Sequence, residues 1–145
     1  MASLSLVALL LGGFFSALFP KAMISRLEAY NNNVGVMVRG DSAPAGIINM
    51  IVSDSIIHNN VSAGVDISTS LSGAQIFANV LHSRIANNLV GVRAEGAGHA
   101  ELTLAQSALT GNAESWRGEV SSLGNNYIYG NNDNDPATPL TIPFR

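Results

Sequence analysis

Asp66, Arg93, Glu95 and Arg117 are the residues of this chain best suited to act on a bound molecule. Aligned on an internal repeat, they fall into two columns: Met37, Asp66, Arg93, Arg117, and Arg39, Ser68, Glu95, Glu119. A carboxylate beside a guanidinium can hold a hydroxylated or acidic ligand. An Arg with a depressed pKa next to a bound metal can act as a base. The plainer role is a face of exposed cross-strand ion pairs, each contributing about 0–1 kcal/mol. Tyr127 and Tyr129 lie two residues apart and share one face of a strand. They are placed to stack on a sugar, or equally to close a core.

Other chemistry is thinner. His58, His82 and His99 occupy different points of the repeat, so they do not converge as ligands. His82 aligns with Asp54 at a corner, where a hydrogen-bonded turn pair accounts for both. The densest run of oxygen donors is Asn131-Asn132-Asp133-Asn134-Asp135. Ca2+ favours such oxygens, but Pro136 stands where an EF-hand loop would continue, and a solvated terminal turn is the simpler expectation. No catalytic or metal site is assigned; Ca2+ is the one cofactor considered. Nucleophile-elbow, P-loop, H-E-x-x-H and dinucleotide motifs are absent.

The elements that would position these residues follow from the repeat. Ser55-Ile56-Ile57-His58-Asn59-Asn60, Ser83-Arg84-Ile85-Ala86-Asn87-Asn88 and Ser107-Ala108-Leu109-Thr110-Gly111-Asn112 are near copies, the leading Ser recurring after 28 and then 24 residues. A looser copy begins at Tyr30. A period of this size signals a solenoid, in which each unit buries its apolar face only against its neighbours. Before each Ser an alternating strand places Ile48/Ile76/Ala100, Met50/Ala78/Leu102 and Val52/Val80/Leu104 inward. Ile57, Ile85 and Leu109 mark a second inward strand. Val36, Val65, Val92 and Trp116 mark a third. Asn33, Asn60, Asn88 and Asn112 occupy a turn where stacked amides bond from coil to coil, and Ser55, Ser83 and Ser107 form a second ladder.

Composition agrees. The 145 residues are 47% hydrophobic and only 12% charged, with 15 Asn and 14 Gly, which suits short strands and tight turns rather than helices. A net charge of −3 and a single Lys, Lys21, argue against a nucleic-acid partner. No Cys is present, so disulfides and thiolate metal sites are excluded.

Residues 2–19 are almost wholly apolar. They read as an export signal, as a membrane anchor at the short limit for a span, or as an apolar helix covering the first coil. The boundary is placed at residues 1–23, with a solenoid domain over 24–145 and a terminal tail over 133–145. Any membrane contact would come through residues 2–19 if they are retained.

The motif of apolar-x-apolar, Ser, Ile, Asn-Asn and Gly-Val, together with the closing segment Ser121–Asn131 and Thr138-Pro139-Leu140-Thr141, resembles the right-handed parallel β-helix repeat of the pectate-lyase-like superfamily. The closing segment is similar to the last coil of secreted bacterial β-helix proteins of unassigned function. The resemblance covers about residues 24–132. It implies a right-handed parallel β-helix; the repeat itself predicts about four to five three-stranded coils, and a secreted or cell-surface location follows if residues 2–19 are an export signal. Catalytic members carry clustered acidic residues, Ca2+ ligands and an Arg or Lys base on one outward face; the columns above do not contain that set. The expected role is therefore a non-catalytic exported module, structural or surface-interacting. The alternative is a polysaccharide-binding or lyase-like protein for acidic glycans, using Asp66, Arg93, Glu95, Arg117, Tyr127 and Tyr129.

Overall fold

The computed structural model describes residues 21–41, 46–133 and 139–141. Among them every regular element is a strand. The chain runs β1 (Lys21–Ser25), β2 (Glu28–Tyr30), β3 (Val34–Arg39), then repeats the order as β4 (Ile47–Ser53), β5 (Ile56–His58), β6 (Ala63–Ser68). Two further repeats follow: β7 (Gln75–Leu81), β8 (Arg84–Ala86), β9 (Val90–Glu95), and β10 (Ala100–Ala105), β11 (Ala108–Thr110), β12 (Glu114–Gly118). The chain closes with β13 (Val120–Ser122), β14 (Tyr127–Tyr129) and β15 (Leu140–Thr141).

Each strand pairs in parallel with its equivalent one coil on. Three sheets result: β1-β4-β7-β10-β13-β15, β2-β5-β8-β11-β14 and β3-β6-β9-β12. They are called the first, second and third sheets below. This is the expected all-β parallel solenoid. Its coil count differs slightly from the four to five expected. From β3 to β12 the third sheet makes three full turns, and beyond it, among the described residues, strands continue only in the first two sheets.

Alternation sets which side chains fill the interior. Ile48, Ile76 and Ala100 are register partners and buried, as are Met50, Ala78 and Leu102, and Val52, Val80 and Leu104. Ile57, Ile85 and Leu109 fill the second sheet's inner column. Val36, Val65 and Val92 fill the third, with Trp116 packed against the same core. Each Ile or Leu taken fully from water contributes roughly 1.5–3 kcal/mol. Three-residue strands gain this only by stacking, so the coils are stable together rather than singly.

Two of the three turns in each coil are tight corners, and both use left-handed backbone. Arg26, Asp54, His82, Gln106 and Asn125 form one column with φ between 46° and 57°. Asn31, Asn59 and Asn87 form the other, with φ of 55–58°, and Gly111 and Gly130 continue it. Asn tolerates this region better than most residues. The corner amides still bond across coils, Asp54 N–H to Leu81 O and Asn59 N–H to Ala86 O, both at 3.1 Å.

The start of the third sheet needs glycine for space. A Cβ on Gly64 would lie 2.6 Å from both Gly91 O and Ile85 Cγ2. The equivalent residue on β12 is Ser115, whose amide and hydroxyl both bond Asp133 (2.6 and 3.1 Å).

The apolar helix expected near the N-terminus falls in residues 1–20, outside the described residues. The sheet itself begins at Lys21, three residues inside the leading segment set apart as 1–23. No helix among the described residues is long and apolar enough to cross a membrane. In the tail, β15 returns to pair with β13.

Candidate functional site

The register places Met37, Asp66, Arg93 and Arg117 in one outward column of the third sheet. Arg39, Ser68 and Glu95 form the next. The charged face is not the set of exposed pairs expected. Asp66 is fully buried beneath two guanidinium groups. Arg93 Nε donates to Asp66 Oδ1 at 3.0 Å and Arg93 Nη2 to Oδ2 at 2.7 Å, while Arg39 Nη2 donates to Oδ2 at 2.8 Å. Arg39 also donates to Ser68 Oγ. Arg39 is the partner that column-by-column reading missed. It lies on the diagonal from Asp66, one strand back and two residues on, within reach of a long side chain.

Arg117 turns to Glu114 on its own strand rather than to Glu95 or Glu119. Donating hydrogen bonds to Asp66 raises the Arg93 pKa above its ordinary value, outweighing the desolvation that would lower it. The hydrogen bond to Glu114 does the same for Arg117. Glu95 is exposed and adds to both through space. A base needs the opposite shift, so Arg93 is held as a cation.

The other expected residues lie elsewhere. Tyr127 and Tyr129 are on β14, in the second sheet, so they do not share a surface with Asp66, Arg93, Glu95 and Arg117. Both rings are exposed, with centroids 6.0 Å apart. At the opposite end of that sheet Tyr30 stacks on His58 at 5.3 Å, and Glu28 Oε1 lies 3.8 Å from His58 Nε2. The three His residues stay apart, and among the described residues no group of three His, Cys, Asp or Glu could hold a metal. In the acidic terminal loop, Asp133 is engaged by Ser115; Asn134 and Asp135 lie outside the described residues.

Both ladders are built from hydrogen bonds passed forward one coil at a time. Asn60 donates through N–H (2.9 Å) and Nδ2 (3.0 Å) to Asn88 Oδ1. Asn88 donates in the same two ways to Asn112 Oδ1, and Asn112 to Asn131 Oδ1. Each Nδ2 also reaches a carbonyl of the preceding coil, Ala29, Ile57, Ile85 and Leu109 in turn. The first rung is Asn32, whose amide donates to Asn60 Oδ1. Asn33, the expected rung, is exposed one residue further on. The correction has a simple cause: the second-sheet register fixes Tyr30 against His58, which carries Asn32 onto Asn60.

The Ser ladder follows the same logic. Leu27 N–H donates to Ser55 Oγ, Ser55 N–H to Ser83 Oγ and Ser83 N–H to Ser107 Oγ, at 3.1–3.2 Å. Each hydroxyl donates to the carbonyl two residues back. Asn126 takes the last place, accepting from Ser107 N–H at 2.9 Å. These hydroxyls are buried and engaged as both donor and acceptor, which leaves none available as a nucleophile.

A groove of about 530 Å³ runs over the Ser ladder, outside the first corner. One wall is the left-handed column Asp54, His82, Gln106 and Asn125. The other is the outward second-sheet column Ile56, Arg84, Ala108 and Tyr127. The sequence points to Tyr127 as a ring that could stack on a sugar and aligns Asp54 with His82, but the groove they share comes only from the register between coils.

Comparison with known proteins finds no matching family model, no similar curated protein and no similar solved structure.

Proposed function

We propose that this chain is a non-catalytic, exported β-solenoid module with a structural or surface-interaction role. The observation that carries the reading is Asp66. Both of its oxygens are taken by Arg39 and Arg93, so the strongest charge cluster serves the scaffold itself. Arg93 and Arg117 are each held protonated by a carboxylate neighbour, which is unsuited to proton abstraction. Export is inferred from the apolar run over residues 2–19. The repeat motif supports a place among the right-handed β-helices of the pectate-lyase-like superfamily.

A second reading, polysaccharide binding, is favoured by the exposed ring of Tyr127, which lines the groove while Tyr129 lies outside it. Aromatic side chains with one apolar face and a polar tip suit ligands of mixed character.

The test of the first reading is direct. The purified full chain is incubated with acidic polysaccharides, with and without Ca2+, and followed for unsaturated products and new reducing ends. No turnover is expected. Turnover that disappears in Arg93→Ala would overturn it.

A further inference from the structure

We propose that the groove outside the first corner binds an uncharged, hydroxyl-rich polymer, a neutral glycan, laid along the solenoid axis. The proposal rests on the polysaccharide-binding reading, moves it off the charged third sheet and names the ligand class.

Shape comes first. Asp54, His82, Gln106 and Asn125 stand on consecutive coils. With strands about 4.8 Å apart, they span roughly 14 Å. Ile56 and Tyr127 close the two ends of the facing wall in a single register column, and both are about half exposed. Between them Ala108 leaves room beside the Tyr127 ring. An extended chain several units long fits this outline.

The backbone offers a peptide strand no continuous edge. Asp54 and His82 N–H donate to Leu81 O and Ala105 O; Arg84, Ala108 and Tyr127 N–H donate to Ser55 O, Ser83 O and Ser107 O, at 2.9–3.1 Å. The serine hydroxyls beneath are closed within their own ladder. β-Augmentation needs a continuous edge of unpaired N–H and C=O groups, and these five N–H groups are already engaged. Recognition therefore rests mainly on side chains.

Those side chains specify the class. A carboxylate, an imidazole, a guanidinium and two carboxamides are planar donors and acceptors, matched to the hydroxyl rim of a sugar. The Tyr127 ring and Ile56 offer apolar surface to the C–H face. Among the described residues Arg84 has no ion-pair partner, and its charge is balanced across the groove by Asp54 rather than within a bridge. The lining therefore carries no net formal charge with His82 neutral, so it offers a polyanion no electrostatic advantage.

The experiment is calorimetric titration of the full chain with neutral hexasaccharides (β-1,4-glucan, xylan and mannan types), an oligogalacturonate and an extended peptide. Saturable binding of at least one neutral hexasaccharide is expected, insensitive to added salt. Tyr127→Ala and Arg84→Ala should each weaken it about tenfold, the effect of losing roughly 1.4 kcal/mol. Tyr127→Phe should keep most of the affinity. Tyr129→Ala, on the same strand but outside the groove, should change it less than about twofold, with thermal melts confirming that each variant is folded. Preference for the oligogalacturonate or the peptide, an equal loss in Tyr129→Ala, or no saturable binding of any neutral hexasaccharide would each overturn the proposal. Cleavage of a substrate is a separate readout and bears only on the non-catalytic reading.

Discussion

Arg93 grips Asp66 through two parallel hydrogen bonds, although both residues sit on the outer face of their sheet. The carboxylate is completely buried, and the guanidinium is about one-fifth exposed. Removing Arg93 would leave a buried charge with Arg39 as its remaining partner. Breaking buried pairs costs about 3–5 kcal/mol; with Arg39 retained, Arg93→Ala should destabilise by about 2–3 kcal/mol. Arg117→Ala, which loses an exposed same-strand pair, should cost less than about 1 kcal/mol. Urea unfolding of the two variants measures the difference, and equal midpoints would show that Asp66 is not held as described.

The same pair makes a pH prediction. Arg93 has its pKa raised, first by the Asp66 hydrogen bond. A raised folded-state pKa stabilises fully below the unfolded value and is lost only as pH climbs through the folded one. For a guanidinium that loss lies in strongly alkaline solution. The stability difference between wild type and Arg93→Ala should therefore stay flat across neutral and mildly alkaline pH. A step in that range would point to another titrating group.

Asn88 is the central rung of the amide ladder, and its side chain accepts from Asn60 and donates to Asn112 and Ile57. Asn88→Leu should cost about 1–3 kcal/mol, because buried backbone and amide groups lose their partners. Asn33→Leu, at an exposed turn position outside the ladder, should stay within about 0.5 kcal/mol. Thermal melts separate them; a reversal of the order would restore Asn33 as the rung.

Gly64 and Gly98 offer a second contrast. Alanine at Gly64 would press its Cβ against Gly91 O and Ile85 Cγ2, each 2.6 Å away. Overpacking of this kind costs about 1–3 kcal/mol or more. Gly98 has φ of 86° and open space around it, so Gly98→Ala meets only the strain of a Cβ in the left-handed region, about 1–2 kcal/mol. Denaturant midpoints should fall further for Gly64→Ala.

Asp133 ties the terminal turn to β12 by accepting from Ser115 N–H and Oγ–H. Asp133→Ala should speed amide exchange at Ser115 while leaving core amides such as Leu102 protected. Uniform loss of protection would mean that Asp133 supports the whole solenoid rather than its end.

Much of the fold was legible because its signals are local. Alternation placed Ile48, Ile76 and Ala100 in one inward column, and the structure pairs them in that register. The recurring Ser and Asn-Asn marked the corners, where a tight turn leaves few residue types suitable. Legibility failed where the period changed. Asn131 follows Asn112 by 19 residues rather than the 24 separating Asn88 from Asn112, so the last rung did not align. Asn126 likewise fills a Ser position with a different residue. In the first coil three consecutive Asn left the rung ambiguous, and pairing between Tyr30 and His58 selected Asn32.

By itself, the sequence determined that this chain stacks short parallel strands into a solenoid and which side chains fill it, because period and alternation depend only on spacing along the chain. Tertiary structure decided that Asp66 is buried rather than exposed, that Arg39 shares it, that the tyrosines lie on a different sheet from the charges, and that a neutral-lined groove follows the first corner. Those outcomes depend on how far a side chain reaches diagonally between coils, and on the direction each corner sends the next strand. Neither quantity is written in the spacing.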